Sequence, residues 1–195
     1  EHSLIRLKSG QLAYITKRVD RNKKEKLHME DMCQLTERLT EQKYKGSYEQ
    51  IAKKIKQYSV NSGLDIVDFY ELVLFSFLTG NNDMHLKNFS MINKEDSWIL
   101  APAYDLLNVA IVNPEDTEEL ALTLEGKKKK IQWEHFERLG LSLGLNQKQL
   151  TSLSKRFIKN KKLALKWIDN SFLSEEYKEK YKEVLHNRYQ ILFRS

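Results

Sequence analysis

Gly80-Asn81-Asn82-Asp83-Met84-His85-Leu86-Lys87-Asn88-Phe89-Ser90 packs an acid, an imidazole, an amine and three amides into one short stretch. Before it runs Phe69 to Leu78, apolar nearly all round, which is the pattern of a helix buried in the middle of a domain. Gly80 can end that helix in a left-handed conformation. After it, Phe89–Ile92 and Ser97–Leu100 flank Asn93–Asp96, which predicts a hairpin. The polar stretch is therefore expected to be a loop gripped by core at both ends. A polar cluster anchored in this way costs stability and usually serves a function.

The spacing narrows that function. Asp83 and Asn88 stand in the order Asp-x-x-x-x-Asn, the spacing of a kinase catalytic loop. Phosphoryl transfer needs a carboxylate to orient and deprotonate the attacking hydroxyl, and an oxygen ligand for Mg²⁺ facing the same phosphate. Asp83 is the candidate catalytic base and Asn88 a candidate metal ligand. The stretch Ser97–Asp105 delivers Asp105 just after the second strand, as a second metal ligand. Two hard oxygens, completed by phosphate oxygens and water, suit Mg²⁺. Asp-x-x-x-x-Asn alone is a weak signal; the buried helix before it, the hairpin after it and Asp105 at the end make it specific. His85 and Lys87 are assigned to phosphate contact. The five histidines, His2, His28, His85, His135 and His186, show no paired helical spacing, which disfavours a histidine-built metal centre.

Outward from the loop the pattern is mostly helical. Leu4–Leu7 and Leu12–Lys17 flank Ser9-Gly10 and predict a first hairpin, followed by a charged loop over Asp20–Lys26. Met29, Met32, Thr36 and Leu39 give His28–Leu39 a helical spacing. Ser47 and Gln50 form a candidate capping box ahead of the stripe Tyr48, Ile51, Ile55 and Tyr58. Asp68-Phe69-Tyr70-Glu71 reads as a second such start. Leu120–Leu124 is a candidate strand. From Trp133 onward the spacing is helical, with Asn146 as a cap for Leu150, Leu153 and Phe157. Ser174, Glu175 and Glu176 open a last helix whose stripe is Tyr177, Tyr181, Val184, Leu185 and Ile191. The fold class is α+β, mostly helical, with short β-hairpins.

With 195 residues, 41% hydrophobic and 10% aromatic, the chain can bury a substantial core as one domain or one lobe of a larger enzyme. Scarce Gly (7) and Pro (2) favour long helices. Cys33 stands alone, which excludes an internal disulfide or a cysteine-built metal site and fits a reduced, cytoplasmic compartment. No apolar run approaches the roughly 20 residues of a membrane-crossing helix. A net charge of +6 permits nucleic-acid or acidic partners, but the lysines (Lys127–Lys130, Lys155, Lys159–Lys162) are scattered as on solvated faces.

Four segments then resemble one family: Arg18-Val19-Asp20-Arg21, His28-Met29-Glu30-Asp31-Met32-Cys33-Gln34, Asn82 through Ser90, and Pro102-Ala103-Tyr104-Asp105. They are similar to the C-terminal kinase region of HipA-type proteins, bacterial toxins of toxin–antitoxin pairs, from about Leu12 to about Asn108. The resemblance implies a protein-kinase-like C-lobe lacking most of the N-lobe. Residues 1–21 would be the end of the N-lobe sheet and the hinge, and 22–195 the helical C-lobe. Lys17, Arg18 and Val19 would be the hinge that receives adenine, and His85 to Asn88 with Tyr104 and Asp105 would line the triphosphate and Mg²⁺. The implied activity is ATP- and Mg²⁺-dependent serine/threonine phosphorylation of a protein, with an aminoacyl-tRNA synthetase as a substrate. The implied partner is a helix-turn-helix antitoxin, with DNA met only through it and no membrane.

Two departures stand out. Val19 occupies a position where Phe is common, and the chain has no Gly-rich phosphate loop. The family's phosphate-covering loop, ATP-binding lysine and autophosphorylated serine are expected upstream of Glu1, in cis or on a partner chain. Two other readings compete. Asp83-x-His85-x-x-Asn88 also resembles the loop of phosphatidylinositol kinases, though no amphipathic membrane-binding stretch accompanies it. An inactive kinase-like binding module is disfavoured by the presence together of Asp83, Asn88 and Asp105.

Overall fold

A computed structural model describes residues 2–22 and 25–193. The first hairpin pairs β1 (His2–Arg6) with β2 (Leu12–Thr16), His2 opposite Thr16 and Arg6 opposite Leu12. Leu4, Leu12, Tyr14 and Ile15 on it are all exposed. Within the expected charged loop, β3 (Arg21–Asn22) and β4 (Glu25–Lys26) make a minimal ladder, while residues 23 and 24 lie outside the described residues. Arg18 grips Asp20 through two bonds of 2.8 and 2.7 Å, and Arg21 adds a third at 2.7 Å.

The helix expected over His28–Leu39 is a strand followed by a single helical turn. β5 (Met29–Asp31) is antiparallel to a strand some sixty residues on, and α1 (Met32–Leu35) starts from a capping box between Asp31 and Gln34. Helical spacing at Met29 and Met32 coincided with residues whose conformation is fixed by pairing partners far along the chain. A 3₁₀ turn at Thr40–Gln42 leads to α2 (Tyr48–Tyr58). Ser47 caps α2 by accepting from the Gln50 N–H at 3.2 Å. The reciprocal half of the expected box is missing, because Gln50 Oε1 accepts from Arg38 instead.

The central helix α3 (Ser62–Leu78) begins well before Asp68, which lies in its interior. Its first turn carries Asp65, whose Oδ2 accepts from the Ser59 hydroxyl (2.6 Å) and the Leu100 N–H (2.7 Å) and so ties the helix start to a strand end. Ile66, Phe69, Tyr70, Val73, Leu74, Phe77 and Leu78 are buried, as near-continuous apolarity predicts. The helix ends in a Schellman motif: Gly80 (φ 72°) donates to Phe77 O, and Asn81 donates to Ser76 O.

The second hairpin forms as expected from β6 (Ser90–Lys94) and β7 (Ser97–Leu100), with β5 added on its free edge in the order β5-β6-β7. Glu95 and Asp96 both take positive φ (50° and 59°), the tight hairpin turn that follows strand twist. Leu120–Leu124 is buried but is no regular strand; it contributes single bridges, Ser47 with Thr123 and Leu124 with Lys127. α4 (Trp133–Ser142), α5 (Gln147–Asp169) and α6 (Glu175–Leu192) complete the domain, α5 from an Asn146–Gln149 capping box and α6 from Ser174. One core joins α2, α3 and β6 to Phe136, Leu150, Leu185, Tyr189 and Leu192.

Candidate active site

Two amide side chains organise the loop between α3 and β6. Asn81, almost completely buried, accepts the Asp83 N–H at its Oδ1 (3.3 Å) and donates from Nδ2 to the Asp105 carbonyl (3.3 Å). One side chain thus holds Asp83 and Asp105 in place, though twenty-one residues separate them. Asn88 donates from Nδ2 to the Asp83 carbonyl at 2.9 Å. That bond fixes the amide plane and turns the Asn88 oxygen the other way. The sequence marked Asn81 as a polar residue in the loop and assigned it no role.

Asp105 takes a positive φ of 56°, uncommon for a side chain larger than Gly. Such a conformation persists only where the surroundings hold it; here the Asn81 bond and the bonds of Val109 and Ala110 N–H to Gly80 O do so. Tyr104 braces the same region. Its single proton goes to Lys87 O (2.7 Å), so the Ser90 hydroxyl, at 2.5 Å, donates to the Tyr104 oxygen. Burial pushes the Tyr104 hydroxyl up to about 12, so it remains a donor at ordinary pH. Its hydroxyl is therefore committed to the loop backbone and to the first residue of β6.

His85 is buried, and its Nδ1 has no hydrogen-bond partner among the described residues. Burial, reinforced by Lys43 nearby, lowers its pKa, so the imidazole is neutral at pH 7. Lys87 is half-buried and reaches the Thr40 hydroxyl at 3.4 Å. Asn82 donates from Nδ2 to Asp116 Oδ2 (3.0 Å) and Glu118 O (3.1 Å), drawing that segment over the loop. Its Oδ1 is likewise buried without a hydrogen-bond partner among the described residues. An unpartnered buried polar atom costs free energy, so both atoms remain available to an additional donor or acceptor.

A contact the sequence gave no hint of comes from the segment before α2: the Tyr44 hydroxyl donates to Asp83 Oδ1 at 2.6 Å. No periodic pattern or paired motif surrounds Tyr44, so nothing local could have announced it. Lys17, Arg18 and Val19 lie on the exposed chain between β2 and β3, with Val19 half-buried. The structure therefore brings together Asp83, His85, Lys87, Asn88, Tyr104 and Asp105, and leaves the three hinge candidates on their own segment. Among the described residues no group of three or more His, Cys, Asp or Glu could hold a metal ion unaided. An apolar hollow of about 420 Å³ lies between α3, α5 and α6 and shares no residue with the loop.

Chemically, the arrangement presents a half-buried carboxylate with one oxygen bonded to Tyr44. Its residue is tied through Asn88 and Asn81 to an amide and to the Asp105 backbone, residues that carry hard oxygen donors of the kind a small divalent cation prefers. Comparisons with known proteins agree with this architecture. A Sinorhizobium fredii protein provisionally named kinase Y4dM is 33% identical over 139 residues, covering 70% of this chain and 34% of that protein. The structure of Shewanella oneidensis MR-1 HipA, solved with HipB and operator DNA, is similar at a TM-score of 0.78 and 20% identity, over 97% of this chain and 50% of that one. The Helicobacter pylori proinflammatory kinase CtkA is similar at 0.64 and 17%, over 98% and 73%. At such identities the two structures speak for the fold alone, which is that of a kinase-like C-lobe. The chain spans only about a third to a half of the first two of these proteins. Residues 1–165 match the HipA-like C-terminal domain, and the chain belongs to that family.

Proposed function

We propose that this chain is the catalytic half of an ATP- and Mg²⁺-dependent protein kinase that phosphorylates serine or threonine hydroxyls, of the HipA toxin type. The observation that carries the reading is the Asn81 side chain, bonded at one end to Asp83 and at the other to Asp105. The expected base and the expected metal ligand, remote in sequence, are parts of one hydrogen-bonded unit. Membership of the HipA-like family supports the same reading.

In this proposal Asp83 accepts a hydrogen bond from the incoming hydroxyl and takes its proton as the oxygen attacks the γ-phosphorus, whose bond to the β,γ-bridging oxygen breaks so that ADP leaves. Asn88 and Asp105 would hold Mg²⁺, which neutralises charge on the phosphates when bound. The donor set fits that ion: it is all oxygen and too sparse to bind a metal without phosphate. His85, neutral, would meet a phosphate oxygen through an N–H hydrogen bond, and Lys87 would contribute the positive charge. Tyr104 would act by bracing the loop through Lys87 and Ser90. Lys17, Arg18 and Val19 would form the adenine-side hinge, with residues 1–21 the end of an N-lobe and 22–195 the C-lobe. A Gly-rich cover and a further lysine would come from an upstream lobe, in cis or as a partner chain. The natural substrate would be a protein such as an aminoacyl-tRNA synthetase, and the partner a helix-turn-helix antitoxin that itself contacts DNA, all in the cytoplasm. Among the described residues no helix is long and apolar enough to cross a membrane.

The test is transfer of labelled γ-phosphate to a serine/threonine protein substrate by the chain joined to, or mixed with, its upstream lobe. Asp83→Asn should lower the rate by about 10²–10⁴, the usual worth of a general base, and leave the thermal unfolding curve in place. Residues 1–195 alone should fold and transfer nothing measurable. Near-wild-type activity in Asp83→Asn would refute the assignment.

A further inference from the structure

The segment Thr40–Gly46 has no part in the chemistry described so far, yet it is fastened along the length of the catalytic-loop candidate. Lys43 O accepts the Leu86 N–H at 3.1 Å, Lys87 Nζ reaches Thr40 Oγ1 at 3.4 Å, and the Tyr44 hydroxyl donates to Asp83 Oδ1 at 2.6 Å. The Tyr44 and His85 rings meet edge to face, centroids 5.0 Å apart and planes at 81°, and Lys43 Nζ lies over the Tyr44 ring, 5.0 Å from its centroid. Gly46 closes the segment against Leu86, whose Cδ2 is only 3.3 Å from where a Cβ would stand.

We propose that Tyr44 is the positioning residue for Asp83, holding one carboxylate oxygen so that the other is aimed at the substrate hydroxyl. This rests on the reading of Asp83 as the base. A carboxylate on a single rotatable arm can swing and rotate about its last bond. A charge-assisted bond of 2.6 Å from a ring that stands against His85, although 42% of Tyr44 is exposed, restrains both motions. Pre-set geometry of this kind is what converts a nearby base into an efficient one. Burial, with the bond to Asp83 second, pushes the Tyr44 hydroxyl up to about 12, so the group donates throughout the working pH range. The alternative, a gate that blocks Asp83 and swings away, fits poorly with three attachments of the segment to the loop.

The test compares wild type, Tyr44→Phe and Asp83→Asn in steady-state phosphoryl transfer by the chain together with its upstream lobe. Tyr44→Phe should lose about tenfold in kcat with KM for ATP and the melting temperature unchanged, since the ring and its packing remain. A role confined to structure would move the melting temperature and spare kcat. An independent readout is the ring carbon resonance of Tyr44 titrated toward high pH in residues 1–195. In Asp83→Asn its midpoint should fall below that of wild type, because the negative charge is gone and any bond to the amide oxygen is no longer charge-assisted. Equal kcat in Tyr44→Phe and wild type overturns the inference alone, and a faster Tyr44→Phe overturns it in favour of a gate. A wild type no faster than Asp83→Asn overturns the proposed function and this inference with it.

Discussion

Replacing Gly80 by Ala should be among the most damaging single-methyl changes this chain can suffer. Gly80 sits at φ 72°, where an L residue costs about 1–2 kcal/mol. The added methyl would also meet Val184 Cγ1 of α6 at 2.8 Å, Asn108 Oδ1 at 3.0 Å and Ala110 Cβ at 3.2 Å. None of the three is free to retreat: Val184 neighbours buried Leu185, Asn108 Oδ1 accepts the Ile111 N–H, and Ala110 donates its N–H to the Gly80 carbonyl. Overpacking of this kind adds about 1–3 kcal/mol. A loss of about 2–5 kcal/mol out of a total near 5–15 is thus expected. At a urea m-value of about 2 kcal/mol/M, the unfolding midpoint would drop by about 1–2.5 M. Circular dichroism in a urea series measures it. Gly80→Asn separates the two causes, because Asn tolerates the left-handed region but still carries the methylene. A midpoint shift below about 0.3 M for Gly80→Ala would refute the argument that Gly80 is where α3, α6 and the Asp105 segment meet without room to spare.

Tyr104→Phe should cost about 1–3 kcal/mol in the same urea assay, since it strands the Lys87 carbonyl and the buried Ser90 hydroxyl; no change would mean the Tyr104 bonds do not brace the loop. His85 has a folded pKa below its unfolded value, so the unfolded chain binds the extra proton. Its stabilising contribution is therefore present above about pH 6.5 and is lost as the pH falls below that value. Melting temperatures measured between pH 8 and 5 should fall less steeply in His85→Gln than in wild type, and identical slopes would contradict the burial argument. Asp105→Ala should abolish the gain in ATP affinity that Mg²⁺ confers, read by calorimetry with and without the ion. A Mg²⁺ effect equal to that of wild type would remove Asp105 from the metal site.

The parts legible in the sequence were those whose signal is local. α3 was announced by its apolarity, its end by Gly80, the β6–β7 hairpin by its flanking runs, and the starts of α5 and α6 by Asn146 and Ser174. Elements defined by distant partners were not legible. β5 is a strand because β6 lies beside it, and its three residues carry no period long enough to contradict a helix. The start of α3 was misplaced because Asn61 makes no side-chain cap bond and the first acidic residue, Asp65, is spent on Ser59 and Leu100. Leu120–Leu124 was correctly apolar, but its backbone turns to Gly46 and Lys127 at isolated points and not to a neighbouring strand. The same division runs through the candidate site. Asp83, His85, Lys87 and Asn88 share one loop and one spacing, and Tyr104 and Asp105 follow by a fixed offset. Asn81 and Tyr44 act through bonds to positions that spacing alone does not relate to them.

The first hairpin has a consequence for handling the protein. Among the described residues β1 and β2 pair only with each other, which leaves their outer edges unpaired beside exposed Leu4, Ile5, Tyr14 and Ile15. Such an edge is a template for a further strand from a second molecule. Arg6 and Lys8 supply the only charges from Ser3 to Thr16 that would repel such a visitor. Purified residues 1–195 should therefore self-associate with rising concentration and salt through this end of the molecule, and trimming the chain back to Lys17 should restore monodispersity without disturbing the core.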